Sequence, residues 1–184
     1  MSEIKIIKKS LKIINSHNNN LNTDVRYIDS NNKKLPVVIF CHGFKGFKDW
    51  GCFPYMMDKI AEAGNLAVSF NFSYNGTGED EKDHSDFTRL ELFAKNTFSR
   101  ELDDLGSVID FFAENKNEFK YDPENITLIG HSRGGGIAIL KTAEDNRVKR
   151  LIVLASVCNF DRYSDALKKK WKEVGYFEVM NSRT

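Results

Sequence analysis

Apolar residues follow two different periods along this chain, and the change from one to the other outlines its elements. Ile4 and Ile6, then Leu11 and Ile13, alternate with polar positions, and the alternation slips near Lys8-Lys9 as a bulge would make it do. His17-Asn-Asn-Asn20 is turn material, and Leu21 to Asp29 alternates again through Val25 and Tyr27. The two segments read as an antiparallel hairpin. Val37-Val-Ile-Phe-Cys41 is continuously apolar, as suits a parallel strand covered on both faces. Helical spacing follows over Trp50–Gly64, then a strand over Asn65–Phe72, then an irregular, first acidic stretch over Glu79–Phe98. A long helix begins at Ser99, with Leu102, Leu105, Ile109 and Phe112 on one face. Glu101, Asp103 and Asp104 fall in its first turns, where the helix dipole favours acids. Asp122-Pro-Glu124 closes that segment ahead of a strand at Ile126. Val148–Ala155 is a further parallel strand, and Asp165–Glu173 is a Lys-rich helix stopped by Gly175. Strand–helix alternation behind a hairpin predicts an α/β fold with a mostly parallel sheet.

The run Ile126-Thr-Leu-Ile-Gly-His-Ser-Arg-Gly-Gly-Gly136 stands out. Gly130-His-Ser-Arg-Gly134 is G-x-S-x-G between a strand and a helix, the setting of a nucleophile elbow. Strand and helix backbones pass so closely there that a Cβ at Gly130 or Gly134 would collide. Ser132 is the candidate nucleophile, next to a helix N-terminus that favours developing negative charge. His42-Gly-Phe-Lys-Gly46 follows the third strand and matches the second half of an oxyanion hole. The expected donors are the backbone N–H groups of Phe44 and Arg133. His42 reads as a hydrogen-bonder that organises this loop, His17 as a solvated turn residue and His84 as part of the acidic loop. The side chain of His131 is expected to point into the sheet, away from the Ser132 hydroxyl.

A length of 184 residues suits one domain spanning 1–184, and a net charge of +1 gives no reason to expect nucleic acid or a membrane surface as partner. No secretory signal or bilayer-spanning run is legible. Three cysteines, Cys41, Cys52 and Cys158, have no metal-ligand spacing, and a cytoplasmic setting with reduced thiols is expected. No metal or cofactor is implied.

With these motifs at the ends of the third and fifth strands, the chain resembles the α/β-hydrolase superfamily. Cys41-His-Gly-Phe44, Asn75-Gly-Thr-Gly78 and the helix through Glu101-Leu-Asp-Asp104 look like bacterial cinnamoyl/feruloyl-esterase and dienelactone-hydrolase-like proteins. The resemblance implies a serine hydrolase that attacks a small carboxylic ester and forms an acyl-enzyme. It also implies a triad in the chain order Ser, acid, His. No His follows Ser132 in this sequence. Asp161 is an acid near the superfamily's usual place, but it reads as a loop or hinge residue, and an acid alone does not activate a serine. The expectation is therefore a partial α/β-hydrolase fold lacking its last strands, truncated by about 60 to 100 residues against the eight-strand plan. Residues 160–184 would begin a cap region, and the exposed last strand would invite self-association or require a C-terminal piece. Two other readings stay open: a non-catalytic binding protein derived from a hydrolase, and a peptidase of the prolyl-oligopeptidase type.

Overall fold

A computed structural model describes residues 5–29, 34–78, 85–114 and 119–180. Six strands form one sheet: β1 (Ile7–Ile14), β2 (Asn20–Tyr27), β3 (Leu35–Cys41), β4 (Leu66–Phe70), β5 (Tyr121–His131) and β6 (Val148–Leu154). Their order is β1-β2-β4-β3-β5-β6. The β1–β2 hairpin runs antiparallel and β2 meets β4 antiparallel, while the β4-β3-β5-β6 portion is parallel. This is the α/β architecture the alternation predicted.

Helices α1 (Phe53–Glu62), α3 (Phe98–Glu114) and α4 (Arg133–Glu144) cover the sheet, and α2 (Leu90–Phe93) is a single turn in the stretch read as irregular. Alternation along β3 divides the core. Val37, Ile39 and Cys41 pack with Leu105, Val108, Ile109 and Phe112 of α3 and Ile137 and Ala138 of α4, whereas Val38 and Phe40 face Phe53, Met57 and Ala61 of α1. Successive side chains of one strand thus serve opposite layers, which is why its apolar run is unbroken. α5 (Asp165–Val174) lies outside these layers and buries none of its residues. Ser164 caps its N-terminus by accepting from the Leu167 N–H, and Gly175 ends it in the left-handed region.

Two local expectations are corrected. β1 pairs with β2 without a break from Ile7↔Tyr27 to Ile14↔Asn20, so there is no bulge at Lys8-Lys9. The apolar pattern shifts because the two faces have different covers: Ile6 packs toward α1, while Leu11 and Ile13 pack toward α3. Asp122-Pro-Glu124 does not close the preceding helix but lies inside β5. Pro36 pairs with Asp122 and Val37 with Ile126, so the residues between bow out of the ladder.

Candidate active site

The turn from β5 into α4 is as tight as its glycines suggest. A Cβ on Gly130 would lie 2.5 Å from the Gly134 carbonyl oxygen, and one on Gly134 would lie 2.3 Å from that of His42. Real Cβ atoms do not approach backbone that closely, so only glycine fits. Ser132 sits between them at φ +53°, a conformation costly for a residue with a side chain. Its backbone is held on both sides. The N–H donates to Leu154 O at 2.9 Å, and the carbonyl accepts from Gly135 N at 3.0 Å and Val157 N at 3.1 Å. Ser132 is thereby placed at the end of the sheet, at the N-terminus of α4.

The Gly43–Gly46 turn lies directly against it: a Cβ on Gly43 would stand 3.1 Å from the Ser132 Cβ. The Gly46 N–H closes this turn onto Gly43 O at 2.9 Å, with Lys45 at φ +57°. Asparagines from the loop after β4 brace it. Asn71 Oδ1 accepts from the Lys48 N–H at 2.7 Å, and Asn75 Nδ2 donates to Gly46 O at 3.3 Å. The Asn75-Gly-Thr-Gly78 stretch thus acts on this loop. His42 is buried, with Nδ1 2.9 Å from Gly43 O and Nε2 accepting from the Phe72 N–H at 3.3 Å. That pair of contacts selects the neutral tautomer protonated on Nδ1 and leaves neither nitrogen for proton transfer.

Ser132 and Phe44 line two recesses. One, of about 80 Å³, is walled by the aromatic rings of Phe44, Phe98, Phe160 and Tyr163 together with Arg133 and Arg162. The other, of about 220 Å³, lies toward Gly43, Trp50, Phe53 and His131. The region expected to begin a cap thus supplies Phe160, Arg162 and Tyr163 to the first recess. Tyr163 in turn packs edge-on against Trp171 of α5, and Lys45 Nζ donates to Met180 O.

The structure brings Ser132, Phe44 and Arg133 together. His131, expected to point into the sheet, instead lines the larger recess with Ser132, its ring packed on Phe53 at 5.3 Å, whereas His17 is exposed in the hairpin turn, 3.1 Å from Asp103 Oδ2. His84 and the acids Glu79, Asp80, Glu81 and Asp83 lie outside the described residues. Asp161 is exposed and pairs with Lys168. Among the described residues no cluster of potential metal ligands occurs and no helix is long and apolar enough to cross a membrane.

Glu101 and Asp104 lie in the first turns of α3 as expected, and both are buried. Glu101 Oε2 accepts from Arg133 Nε at 2.9 Å and Oε1 from Asn96 Nδ2 at 2.7 Å. Burial pushes its carboxyl above the usual carboxylate range, against the opposing pull of Arg133. Asp104 accepts from Asn15 Nδ2 at 2.6 Å, Ser73 N at 2.8 Å and Ser73 Oγ at 2.9 Å, tying α3 to the hairpin and to the loop after β4. No local pattern marked these two as buried, because all of their partners but Asn96 come from distant segments.

The match to the alpha/beta hydrolase fold family runs over residues 36–176, and the chain belongs to that family. It is 33% identical over 125 residues to an uncharacterized 31.7 kDa Escherichia coli protein from the traX-finO intergenic region, covering 68% of this chain and 38% of that one. It is 30% identical over 155 residues to a Mycoplasma genitalium protein provisionally named esterase/lipase 3, covering 80% of this chain and 48% of that one. The chain therefore spans less than half the length of these curated relatives. A dienelactone hydrolase from Anabaena variabilis superposes with a TM-score of 0.65 at 14% identity, over 82% of this chain and 64% of that one.

Proposed function

We propose that this chain carries the nucleophile and oxyanion hole of a serine hydrolase acting on carboxylic esters. The observation that carries the reading is Ser132 at φ +53°, raised on a glycine-lined elbow and facing the Gly43–Gly46 turn. In this reading Ser132 Oγ attacks the ester carbonyl, the alcohol leaves, and an acyl-enzyme forms. The N–H groups of Phe44 and Arg133 hold the oxyanion, helped by the α4 N-terminus. The two recesses beside Ser132 take the two halves of the ester, with the aromatic walls of the smaller one suiting a flat apolar group. The esterase/lipase name of the Mycoplasma relative agrees with this substrate class.

The general base is the weak point of the 184-residue chain. His42 has both nitrogens occupied, and no His follows Ser132. We therefore expect hydrolysis of activated esters to be slow. Loss of a triad member leaves about 10³- to 10⁴-fold acceleration over water, whereas ordinary enzymes turn over at about 1 to 10³ per second. The internal hydrogen bonds of His42 favour a second reading, a non-catalytic binding protein that retains the cleft. Mass spectrometry after incubation with a p-nitrophenyl ester separates the two. An acyl adduct on Ser132 that is absent in Ser132→Ala supports the hydrolase. No adduct supports the binding protein, and an adduct on another residue sinks the assignment of Ser132. Turnover at ordinary rates would show that a base is present and send attention to His42, His84 and His131.

A further inference from the structure

Arg133 is an odd choice for the first residue of a helix. The N-terminal end of a helix carries partial positive charge, so a cation there is disfavoured and an acid would serve stability better. Here the cation is also largely buried, its side chain 15% exposed. Three groups hold it. Glu101 accepts from Nε at 2.9 Å, and the guanidinium lies over two rings, 4.5 Å from the Phe98 centroid and 5.2 Å from that of Phe44. Glu101 is itself fixed by Asn96, so the guanidinium has one defined position.

That position joins three segments that are far apart in the chain. Glu101 and Phe98 belong to α3, Arg133 to the elbow, and Phe44 to the turn after β3. Phe44 and Arg133 are also the two residues whose N–H groups are assigned to the oxyanion. Two donors from separate segments stabilise a developing charge only when their separation is held before the reaction. The Phe44 ring is 42% exposed, and the Arg133 guanidinium joins Phe93 and Lys45 as its ring partners.

We propose that Glu101 is a positioning residue of the oxyanion hole, fixing the Phe44 and Arg133 donors relative to one another through the Arg133 guanidinium. The inference rests on the reading of Ser132 as nucleophile.

The test uses the whole chain and two probes. Phenylboronic acid is the tetrahedral probe: Ser132 Oγ adds to the trigonal boron, its proton leaves to solvent, and the resulting boronate anion places an oxygen in the hole. Methyl benzoate is the planar, neutral probe. With boron NMR reporting the tetrahedral adduct, Glu101→Gln should weaken phenylboronic acid about tenfold, less than the loss of a whole donor. Methyl benzoate, followed by its proton signals, should stay within about twofold. Arg133→Lys should behave as Glu101→Gln does, because an ammonium cannot both stack and pair as a guanidinium does. Equal binding of phenylboronic acid by Glu101→Gln and the unchanged chain, or equal weakening of both probes, would overturn the proposal.

Amide hydrogen exchange keeps the clamp testable if the nucleophile reading fails, which would show as a tetrahedral signal missing from the unchanged chain or unaltered in Ser132→Ala. Exchange at Phe44 and Gly46 should rise in Glu101→Gln, while that of the β1–β2 hairpin stays as it was. Unchanged exchange at Phe44 and Gly46 sinks the clamp.

Discussion

On the β2 flank of the sheet charges are buried and paired, whereas on the β6 flank apolar side chains stand in the open. Arg26 and Lys48 have side chains only 6% and 5% exposed and share the carboxylates of Asp24 and Asp49. Arg26 Nε also lies 3.2 Å from Asp58 Oδ1, although neither atom is aligned for a hydrogen bond. Across the sheet, Ile152 and Val153 of β6 and Ile139 and Leu140 of α4 are each more than 40% exposed. The ion pairs of α5, Lys168 with Asp161 and Asp165, are solvated. The difference concerns geometry more than stability. Desolvation makes buried ion pairs weak net stabilisers, yet breaking one is costly. Lys48 follows directly on the Phe44 turn, so the rigid flank is the one that fixes the candidate oxyanion loop.

The comparison can be pressed hardest at two glycines. Gly134→Ala would drive a Cβ into the His42 and Cys41 carbonyl oxygens, at 2.3 and 2.5 Å. We expect a loss of about 4 kcal/mol or more, seen as failure to fold or a collapsed urea midpoint. Gly175→Ala, after α5, meets open space and suffers only from φ +85°, at about 1 kcal/mol. Similar costs at the two positions would mean that the elbow relaxes far more readily than its packing implies.

Two lysines give the next contrast. Lys48→Met leaves Asp24 and Asp49 with Arg26 alone, each 3.7 Å from its Nη2, and should cost about 3 kcal/mol in chemical denaturation. Lys168→Met removes solvated pairs and should leave the melt unchanged within error. A near-neutral Lys48→Met would show that water reaches this network and that it does not anchor the loop.

The elbow and the H-G-x-x-G turn were legible because their demands are local. Gly130 and Gly134 are needed wherever a strand reverses into a helix at this distance, and an unbroken run such as Val37–Cys41 fits a strand covered on both faces. Glu101 and Asp104 were not legible. In sequence they sit in the first turns of a helix, where the dipole accounts for them, and their burial depends on Arg133, Asn96, Asn15 and Ser73. The slip at Lys8-Lys9 misled for a related reason, since the two faces of β1 have different neighbours. The aromatic walls of the cleft carried no sequence signal either, because Phe44, Phe98, Phe160 and Tyr163 meet only through the fold.

The open flank yields a milder prediction. We propose that β6, the last strand of the sheet among the described residues and exposing Ile152 and Val153, pairs with a further strand, from a second copy when the 184-residue chain is alone. Sizing chromatography should then show association that rises with concentration. The double variant Ile152→Lys, Val153→Lys should return it to monomer with little change in melting, as suits exposed positions. A clean monomer at all concentrations, with a cooperative melt, would mean that this edge needs no partner.

The smallest effects separate the flanks by sign. Burial raises the carboxyl of Asp104 above the ordinary aspartate value, although the Ser73 N–H and Asn15 oppose it. Its folded form therefore holds a proton that the unfolded form has released, over the interval between the unfolded and folded values. Stability from this group is fully present below that interval and falls as pH rises through it. Asp145, in the turn before β6, behaves oppositely. Its hydrogen bond with the Arg147 side chain lowers its carboxyl, so its contribution is present above the ordinary value and is lost as pH falls through the folded one. Melting temperatures of Asp104→Asn and Asp145→Asn against the unchanged chain, followed from acid to neutral pH, should diverge. Relative to the unchanged chain, Asp104→Asn improves as pH rises and Asp145→Asn worsens. Parallel curves would mean that Asp104 is as well compensated as the Asp145–Arg147 pair, and that the buried flank holds its charges without penalty.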